Sequence, residues 1–417
     1  MRLSASVLRE IFQNRNFRRQ YIARAVSFMG GSMSPIALSF AILGAGMSAS
    51  DLGLALAAES VPMALLLLFG GVWGDRYRRN RVMATADLVR LVSQGTLATA
   101  FIIDRPSLAL ILGAQIVNGL SAGLFRPAAS GLTRASAAPG RLQESNSLLS
   151  VTSNTLTFVG PMISAVLVST IGPGWSLAVD AASFGVSAYF CHGLRLPPVK
   201  RVPGSKFFHE FVDGWREVVT RSWVWITIIG LLFAQAAYGA FDVLGPVIAN
   251  GSLGGVGAWA AVLAAFSAGS VIGGVVGFSW HPNRLLLASK LAGALIMPLF
   301  VLLAVEAPLV AILAAAILAG AGDNISDLLW KVSLQEHIPE EVLSRVSSFS
   351  MGSLALAPLT LVLAPALAQT FGTVAVLAGS GILAGGSILL ALVLPSVRSL
   401  KRDLTPNQSM SASAEAR

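Results

Sequence analysis

Long apolar segments alternate with short polar gaps along the whole chain. An α-helix needs about 20 apolar residues to cross the hydrocarbon core of a bilayer. Turn sequences such as Gly172-Pro173-Gly174 separate several of the segments. The pattern predicts an all-α membrane protein with twelve transmembrane helices, at residues 18–44, 51–73, 82–103, 107–133, 145–170, 175–194, 223–248, 257–279, 285–304, 308–330, 346–370 and 373–394.

Composition is typical of a membrane protein and argues against a nucleic-acid-binding one. Hydrophobic residues form 54% of the chain and charged residues only 12%, about half the charged fraction of a soluble domain. The net charge of +9 is not accompanied by the basic and aromatic face that nucleic acid requires. We therefore expect the lipid bilayer and a small-molecule substrate as partners, no nucleic acid, and a monomer.

The positions of the basic residues predict the orientation of the chain. The 29 Lys and Arg residues fall almost entirely at the N-terminus and in every second gap between the apolar segments. In the other gaps of the sequence the one basic residue is Arg105. Because cytoplasmic loops carry an excess of Lys and Arg, both termini are predicted to be cytoplasmic. The protein is expected to span the cytoplasmic membrane many times.

The segments divide into two six-helix halves that repeat in the same direction. The sequence Gly70-Gly71-Val72-Trp73-Gly74 resembles residues 273–277, GGVVG, in the second half. Secondary transporters often consist of such repeats, with the substrate path between them. The predicted organisation is a first half at 1–194, a cytoplasmic linker with an amphipathic helix at 195–222, a second half at 223–395 and a disordered cytoplasmic tail at 396–417.

Several motifs resemble those of the major facilitator superfamily. The gap after the second segment contains Gly71-x-x-x-Asp75-Arg76-x-x-Arg79, which is similar to the loop signature of that superfamily. Phe125-Arg126-Pro127-Ala128 and residues 334–339, LQEHIP, are similar to its drug:proton antiporter branch, which includes macrolide exporters and the enterobactin exporter. The resemblance implies the major facilitator fold, two pseudo-symmetric halves and transport by alternating access.

The fifth segment departs from the pattern of that branch. Gly160-Pro161 matches its antiporter motif, but Leu156 and Ser164-Ala165 stand where the branch has glycines. Export and uptake therefore both stay open at this point.

The resemblance also implies a cytoplasmic latch that joins the halves in the outward-facing state. An aspartate in a basic cytoplasmic gap does not serve topology, so we interpret Asp75 and Arg76 as latch residues. The alternative, that the arginines only fix topology and contact anionic lipid, is favoured for Arg78 and Arg81. The predicted latch consists of Gly71, Gly74, Asp75, Arg76, Arg79, Asp87 and Arg90.

Ionisable residues inside the apolar segments are the candidates for proton coupling or substrate binding. Each costs about 2.5–3.5 kcal/mol at the membrane centre, so it usually faces a cavity or a partner. Glu59 and Asp323 are the principal candidates, and for Glu59 a hydrogen-bonded structural carboxyl is an equal alternative. The further candidates are Arg126, Asp327, Asp180, Asp242, Gln235 and Tyr238.

These further candidates each have a structural alternative. Arg126 and Asp327 occupy matching positions in the two halves and are candidates for an ion pair, or Arg126 holds an anionic substrate or favours the charged form of a nearby acid. The structural alternative is that both are helix-end charges that reach the cytoplasmic surface, and Lys331, one turn from Asp327, competes for that residue. Asp180 and Asp242 are expected either to line an outer vestibule or to be hydrated charges at the membrane interface. Gln235 and Tyr238, on the helix face of Asp242, favour the cavity there.

No enzyme site, cofactor motif or metal-ligand spacing occurs in the sequence. An ion gradient is then the expected source of energy. The sequence leads to the hypothesis of a secondary transporter that exports an amphipathic small molecule, such as a drug, a macrolide or a siderophore-like natural product, by proton antiport. Two alternatives are a proton-coupled importer and a non-transporting sensor or partner protein on the same scaffold.

Overall fold

The computed structural model describes residues 5–69, 78–137, 141–194, 218–338 and 357–400, together with 342, 343 and 346. The regular elements in these ranges are all helical. The principal α-helices are α1 Ala5–Gln13, α2 Arg15–Gly44, α3 Ala49–Phe69, α4 Arg79–Ile102, α5 Leu108–Ser136, α6 Leu142–Ile171, α7 Pro173–His192, α8 Ser222–Ile248, α9 Val256–Ser279, α10 Leu285–Gly293, α11 Ile296–Ala304, α12 Leu309–His337, α13 Ala357–Phe371, α14 Thr373–Leu390 and α15 Pro395–Ser399.

Within the described ranges, nine helical segments are long and apolar enough to cross a membrane. Each of the twelve predicted segments overlaps at least one helix, and the eleventh is described only from Ala357 onwards. The all-helical membrane fold is confirmed. The number twelve and the cytoplasmic position of the termini stay predictions.

Local sequence explains where several helices begin. Ser48 and Asp51 form a reciprocal cap at the start of α3: the Asp51 carboxylate accepts from the Ser48 backbone N–H at 2.9 Å, and the Ser48 hydroxyl accepts from the Asp51 N–H at 3.2 Å. α7 begins with Pro173, whose fixed φ suits the first turn of a helix. Gly172, just before it, has a φ of +96°, which favours glycine.

The ninth predicted segment is not one continuous helix. α10 and α11 are separated by a turn at Ala294 and Leu295. Pro298 explains the break, because a proline lacks the backbone N–H and its ring clashes with the carbonyl four residues earlier, that of Ala294.

The turn after α8 lies later in the chain than Asn250-Gly251-Ser252, whose turn-forming residues predict it at 250–252. The chain continues as a π-helical segment, Ala249–Leu253, and turns at Gly254 and Gly255. Their φ angles of +100° and +78° lie in the region that glycine adopts without a steric cost.

Helices of the two halves have corresponding neighbours. In the first half α3 and α4 pack on α5, and in the second half α9 and α10 pack on α12. A Cβ atom at Gly269 of α9 or Gly320 of α12 would collide with a backbone carbonyl of the facing helix. Small residues therefore set the close approach of these helices.

The helices α2, α6 and α8 begin at one end of the bundle, which we call the basic end because Arg15, Arg141 and Arg221 lie there. Here the larger clusters of buried side chains each belong to one half, as around Trp223 and Trp330 in the second half. The described apolar core does not join the halves at this end.

At the opposite end, which we call the closed end, the halves pack against each other. Ile36 and Phe40 of α2 share a buried cluster with Phe241 of α8. Gly53 of α3 lies so close to the Leu361 carbonyl of α13 that a Cβ atom there would collide with it. The two halves are therefore in direct contact at the closed end.

Short ordered segments at the basic end complete the bundle. α1 buries Ile11 against Phe17, and Arg141 is 2.9 Å from Glu10. α15 lies where the disordered tail was predicted to begin, and its Val397 is fully buried beside Trp223, which explains its order. Of the linker predicted at 195–222, residues 195–217 lie outside the described residues, as does the tail from 401.

The closed end yields a cross-linking prediction. Gln369 of α13 donates a hydrogen bond to the Ser50 hydroxyl of α3 at 3.0 Å, so cysteines at these two positions should be joined by a short thiol cross-linker. The double variant S50C with Q369C would be made in a Cys191→Ala background, with a protease site inserted in the linker at 195–217. The two halves should stay together on a denaturing gel after cleavage, whereas either single-cysteine variant should separate. Separation of the double variant would contradict closure at this end.

Candidate functional site

A cavity of about 710 Å³ lies between the two halves. Its wall is formed by α2 to α6 of the first half and by α8 and α9 of the second half. The wall combines aromatic and charged side chains, namely Phe28, Phe125, Phe266, Arg24, Glu59, Arg90 and Asp242.

Glu59 of α3 is half-buried in the cavity wall and is held by two amide side chains of α5. Gln115 Nε2 donates to its Oε2 at 3.2 Å, and Asn118 Nδ2 donates to its Oε1 at 3.0 Å. Gln115 in turn accepts a hydrogen bond from Gln94 of α4 at 2.9 Å. The three amides are at most 2% exposed. They supply the hydrogen bonds that a carboxylate needs away from water.

Arg90 of α4 extends this network. Its Nε donates to Asn118 Oδ1 at 2.8 Å, and its guanidinium lies 3.7 Å from the ring centre of Phe184. On the other side its Nη1 is 3.8 Å from Asp87 Oδ1, and Asp87 accepts from the Ser187 hydroxyl at 2.5 Å. Four helices, α3, α4, α5 and α7, are thus connected by one chain of polar contacts around Arg90.

Asp180 of α7 is buried inside the first half, with 1% of its surface exposed. Its carboxylate is packed against Gly30 of α2, where a Cβ atom would lie 2.7 Å from Oδ1. The expectation of a vestibule-lining or hydrated charge was therefore wrong. The reason is the absence of a side chain at Gly30, which lets α7 approach α2 closely enough to cover the carboxylate.

The position of Glu59 depends on Gly119 of α5. A Cβ atom there would collide with the backbone carbonyl oxygen of Glu59. Gly123, one turn later, faces Leu66, and a Cβ atom added at Gly123 would lie only 2.7 Å from the Leu66 Cβ. The two glycines bring α3 against α5, so that Gln115 and Asn118 reach the carboxylate.

In the second half, Asp323 of α12 accepts a hydrogen bond from the Tyr238 hydroxyl of α8 at 2.9 Å. The Tyr238 ring packs edge-on against Phe266, with ring centres 6.2 Å apart. Phe266 lines the cavity, so the Tyr238 ring lies against a residue of the cavity wall, and Asp323 is exposed. Asp327 forms an exposed pair with Lys331 at 2.6 Å, as the competing interpretation expected.

The remaining predicted residues fall in different places. Asp242 lines the cavity, whereas Gln235 is not among the cavity-lining residues of the described part. Pro161 lines the cavity and Gly160 packs against Ser32 of α2. Arg79 is the first residue of α4.

Part of the predicted site cannot be compared with the structure. The latch residues Gly71, Gly74, Asp75 and Arg76 lie outside the described residues, as does the side chain of Arg126 on α5. Asp87 and Arg90, expected in that latch, lie inside the first half, and Arg90 faces the cavity.

The sequence did not predict a role at the site for the buried amides Gln94, Gln115 and Asn118. It also did not predict the buried Lys290 of α10, whose Nζ lies 5.9 Å from the ring centre of Trp330. The signal for the amides was present, because uncharged polar side chains are uncommon in apolar spans. Gln115 and Asn118 lie three residues apart and so share one face of α5.

Comparisons with known proteins are consistent with this geometry. A family model described as Major Facilitator Superfamily matches residues 21–358. The enterobactin exporter EntS of Shigella boydii serotype 18 is 27% identical over 413 residues, and that of Escherichia coli O1:K1 is 26% identical. In both cases 94% of each chain is covered.

Solved structures show the same fold at low sequence identity. The nucleoside transporter NupG has a TM-score of 0.72 at 12% identity and covers 92% of this chain and 99% of its own. An inward-facing bacterial homologue of the iron transporter ferroportin has a TM-score of 0.69 at 17% identity, with 90% and 98% coverage.

The contact of Gly119 with Glu59 yields a stability prediction. Gly119→Ala should lower the thermal stability of the purified protein, because overpacking costs about 1–3 kcal/mol and exceeds the gain in helix propensity of about 1 kcal/mol. The matched control is Gly113→Ala on the same helix, where nothing lies within 4 Å of an added Cβ. Melting curves in detergent would measure both, and an equal melting temperature for the two variants would contradict the close contact.

Proposed function

This chain belongs to the Major Facilitator Superfamily, and from that premise we propose that it exports an amphipathic small molecule in exchange for protons. The observation that carries the proposal is the central cavity, in which the carboxylates of Glu59 and Asp242 lie beside aromatic side chains. Acidic groups at membrane depth are typical of proton relays in transporters. The mixed wall suits a substrate with an apolar body and a few polar groups.

Alternating access follows from the packing of the halves. The described contacts between α2 and α8 and between α3 and α13 lie at the closed end. With the predicted orientation, the cavity faces the cytoplasm in this state. Separation of these contacts, with closure at the basic end, would expose the cavity to the other side of the membrane.

Glu59 and Asp323 are the proposed proton carriers. In the inward-facing state the acid releases its proton to the cytoplasm as the substrate enters, and protonation from outside resets the transporter. Each acid forms a hydrogen bond between two helices. Glu59 connects α3 to α5 through Asn118, and Asp323 connects α12 to α8 through Tyr238. A change of protonation at either residue alters the hydrogen bonds between those helices.

Export is favoured over uptake by the relatives. The curated proteins that match 94% of this chain are named enterobactin exporters. The retained Gly160-Pro161 pair also lies at the cavity, with Pro161 in its wall. Identity of 26–27% supports the direction of transport more than the substrate.

Accumulation of a panel of lipophilic drugs and siderophores in efflux-deficient bacteria tests the proposed function. Cells that express the chain should accumulate less of at least one compound than cells with the empty vector. A protonophore should abolish the difference, because the gradient supplies the energy. Increased accumulation would show uptake, and no change with the protein present in the membrane would favour the sensor.

The carriers are tested by the double variant Glu59→Gln with Asp323→Asn. Both substitutions keep the shape of the side chain and remove the titratable group, so protonophore-sensitive export should fall to the level of the empty vector. Asp104→Asn is the matched control, because Asp104 lies in the exposed turn after α4, away from the cavity wall. Proton-driven export that survives in the double variant would exclude both residues as carriers.

A further inference from the structure

Asp242 differs from the other charged groups that line the central cavity. Glu59 accepts hydrogen bonds from two amides, and Arg90 donates one to Asn118. Arg24 lies 3.4 Å from the Thr133 hydroxyl. Asp242 is exposed to the cavity, and no ion pair or hydrogen bond joins it to another side chain of the described part. It is therefore an available anionic group in the wall.

No cation of the described cavity wall is placed to neutralise Asp242. Ile36 of α2 lines the cavity together with Asp242, and it shares a buried cluster with Phe241, the neighbour of Asp242. Arg24 precedes Ile36 by about 18 Å along α2 towards the basic end, at 1.5 Å per residue. The guanidinium of Arg90 is already engaged by Asn118 and the Phe184 ring.

The surroundings of Asp242 favour a positively charged ligand. Phe28, Phe125 and Phe266 line the same cavity, and aromatic rings attract cations as well as apolar groups. Tyr238, one turn before Asp242 on α8, has its hydroxyl directed to Asp323 and does not compensate the charge. The attraction between a carboxylate and a cation is several times stronger near a low-dielectric wall than in bulk water.

We propose that Asp242 binds the positively charged group of the substrate, and that the substrate is accordingly an amphipathic organic cation. The inference rests on the proposed function and names the substrate class of the same cavity. The cationic group binds deep in the cavity, at the level of Ile36, and the apolar body lies along the aromatic wall towards the basic end. At this level an anionic group, such as a deprotonated catecholate, would be repelled by Asp242, whereas the cation Arg24 lies towards the basic end and Arg90 is held by Asn118.

Two lipophilic ions of nearly equal size and opposite charge provide the test. Binding of tetraphenylphosphonium and tetraphenylborate to the purified full chain in nanodiscs would be measured by calorimetry. The cation should bind at least about tenfold more tightly than the anion, a difference of about 1.4 kcal/mol. Asp242→Asn should weaken binding of the cation about tenfold, while Asp242→Glu should retain it. Asp104→Asn, in the exposed turn after α4, should leave it unchanged.

Three results would overturn the inference: no binding of the cation, equal or tighter binding of the anion to the wild-type chain, or an unchanged cation affinity in Asp242→Asn. The wild-type comparison decides the question even where that variant does not fold. Failure of the proposed function gives a different result. If the cation binds in an Asp242-dependent way but no protonophore-sensitive transport occurs, only the proposal of proton-driven export is contradicted. If the protein exports only neutral or anionic compounds with the proton gradient, only the proposed role of Asp242 is contradicted.

Discussion

The first half of the bundle depends on the cost of placing charge in an apolar interior. Glu59, Asp87 and Arg90 lie among helices that are otherwise apolar, where an unpaired charge is expensive. Asn118 lowers this cost for two of the three charges, because its amide donates a hydrogen bond to Glu59 and accepts one from Arg90. The approach of α3, α4 and α5 is therefore set as much by these polar contacts as by packing.

The second half has the same arrangement of helices as the first, but different side chains pack beside the cavity. Its interior beside the cavity is a cluster of aromatic rings, with Phe241 at 4.8 Å from Trp259 and at 5.6 Å from Phe300 between ring centres. The described polar contact nearest the cavity in this half is the single bond from Tyr238 to Asp323. One pseudo-symmetric arrangement of helices thus has a polar network on one side and an apolar, aromatic core on the other.

Hydropathy predicted most of the fold because the bilayer imposes one length and one polarity on every span. The departures come from backbone effects that hydropathy does not record, such as the break before Pro298 and the turn at Gly254. The buried C-terminal segment around Val397 was not predicted either, since its burial depends on Trp223 far away in the sequence.

The candidate site was predictable only in part. Charge inside a span identified Glu59, Asp242 and Asp323 without any knowledge of their partners. The sequence alone does not show which helix faces such residues meet, so Asp180 was assigned to a vestibule-lining or hydrated position. Gly30 decides that outcome, and Gly119 decides how close Glu59 lies to α5, because contacts that need the absence of a side chain leave no pattern in hydropathy.

The shared amide of Asn118 has a consequence for how this protein evolves. A substitution in the polar network leaves at least one buried partner unsatisfied, so changes there are expected to be accepted only as compensating sets. In an aromatic and aliphatic core, single substitutions that conserve side-chain volume usually cost less than about 1.5 kcal/mol. Among relatives, we expect new substrate preferences to arise by single steps in the second half, while the network of the first half is inherited as a unit.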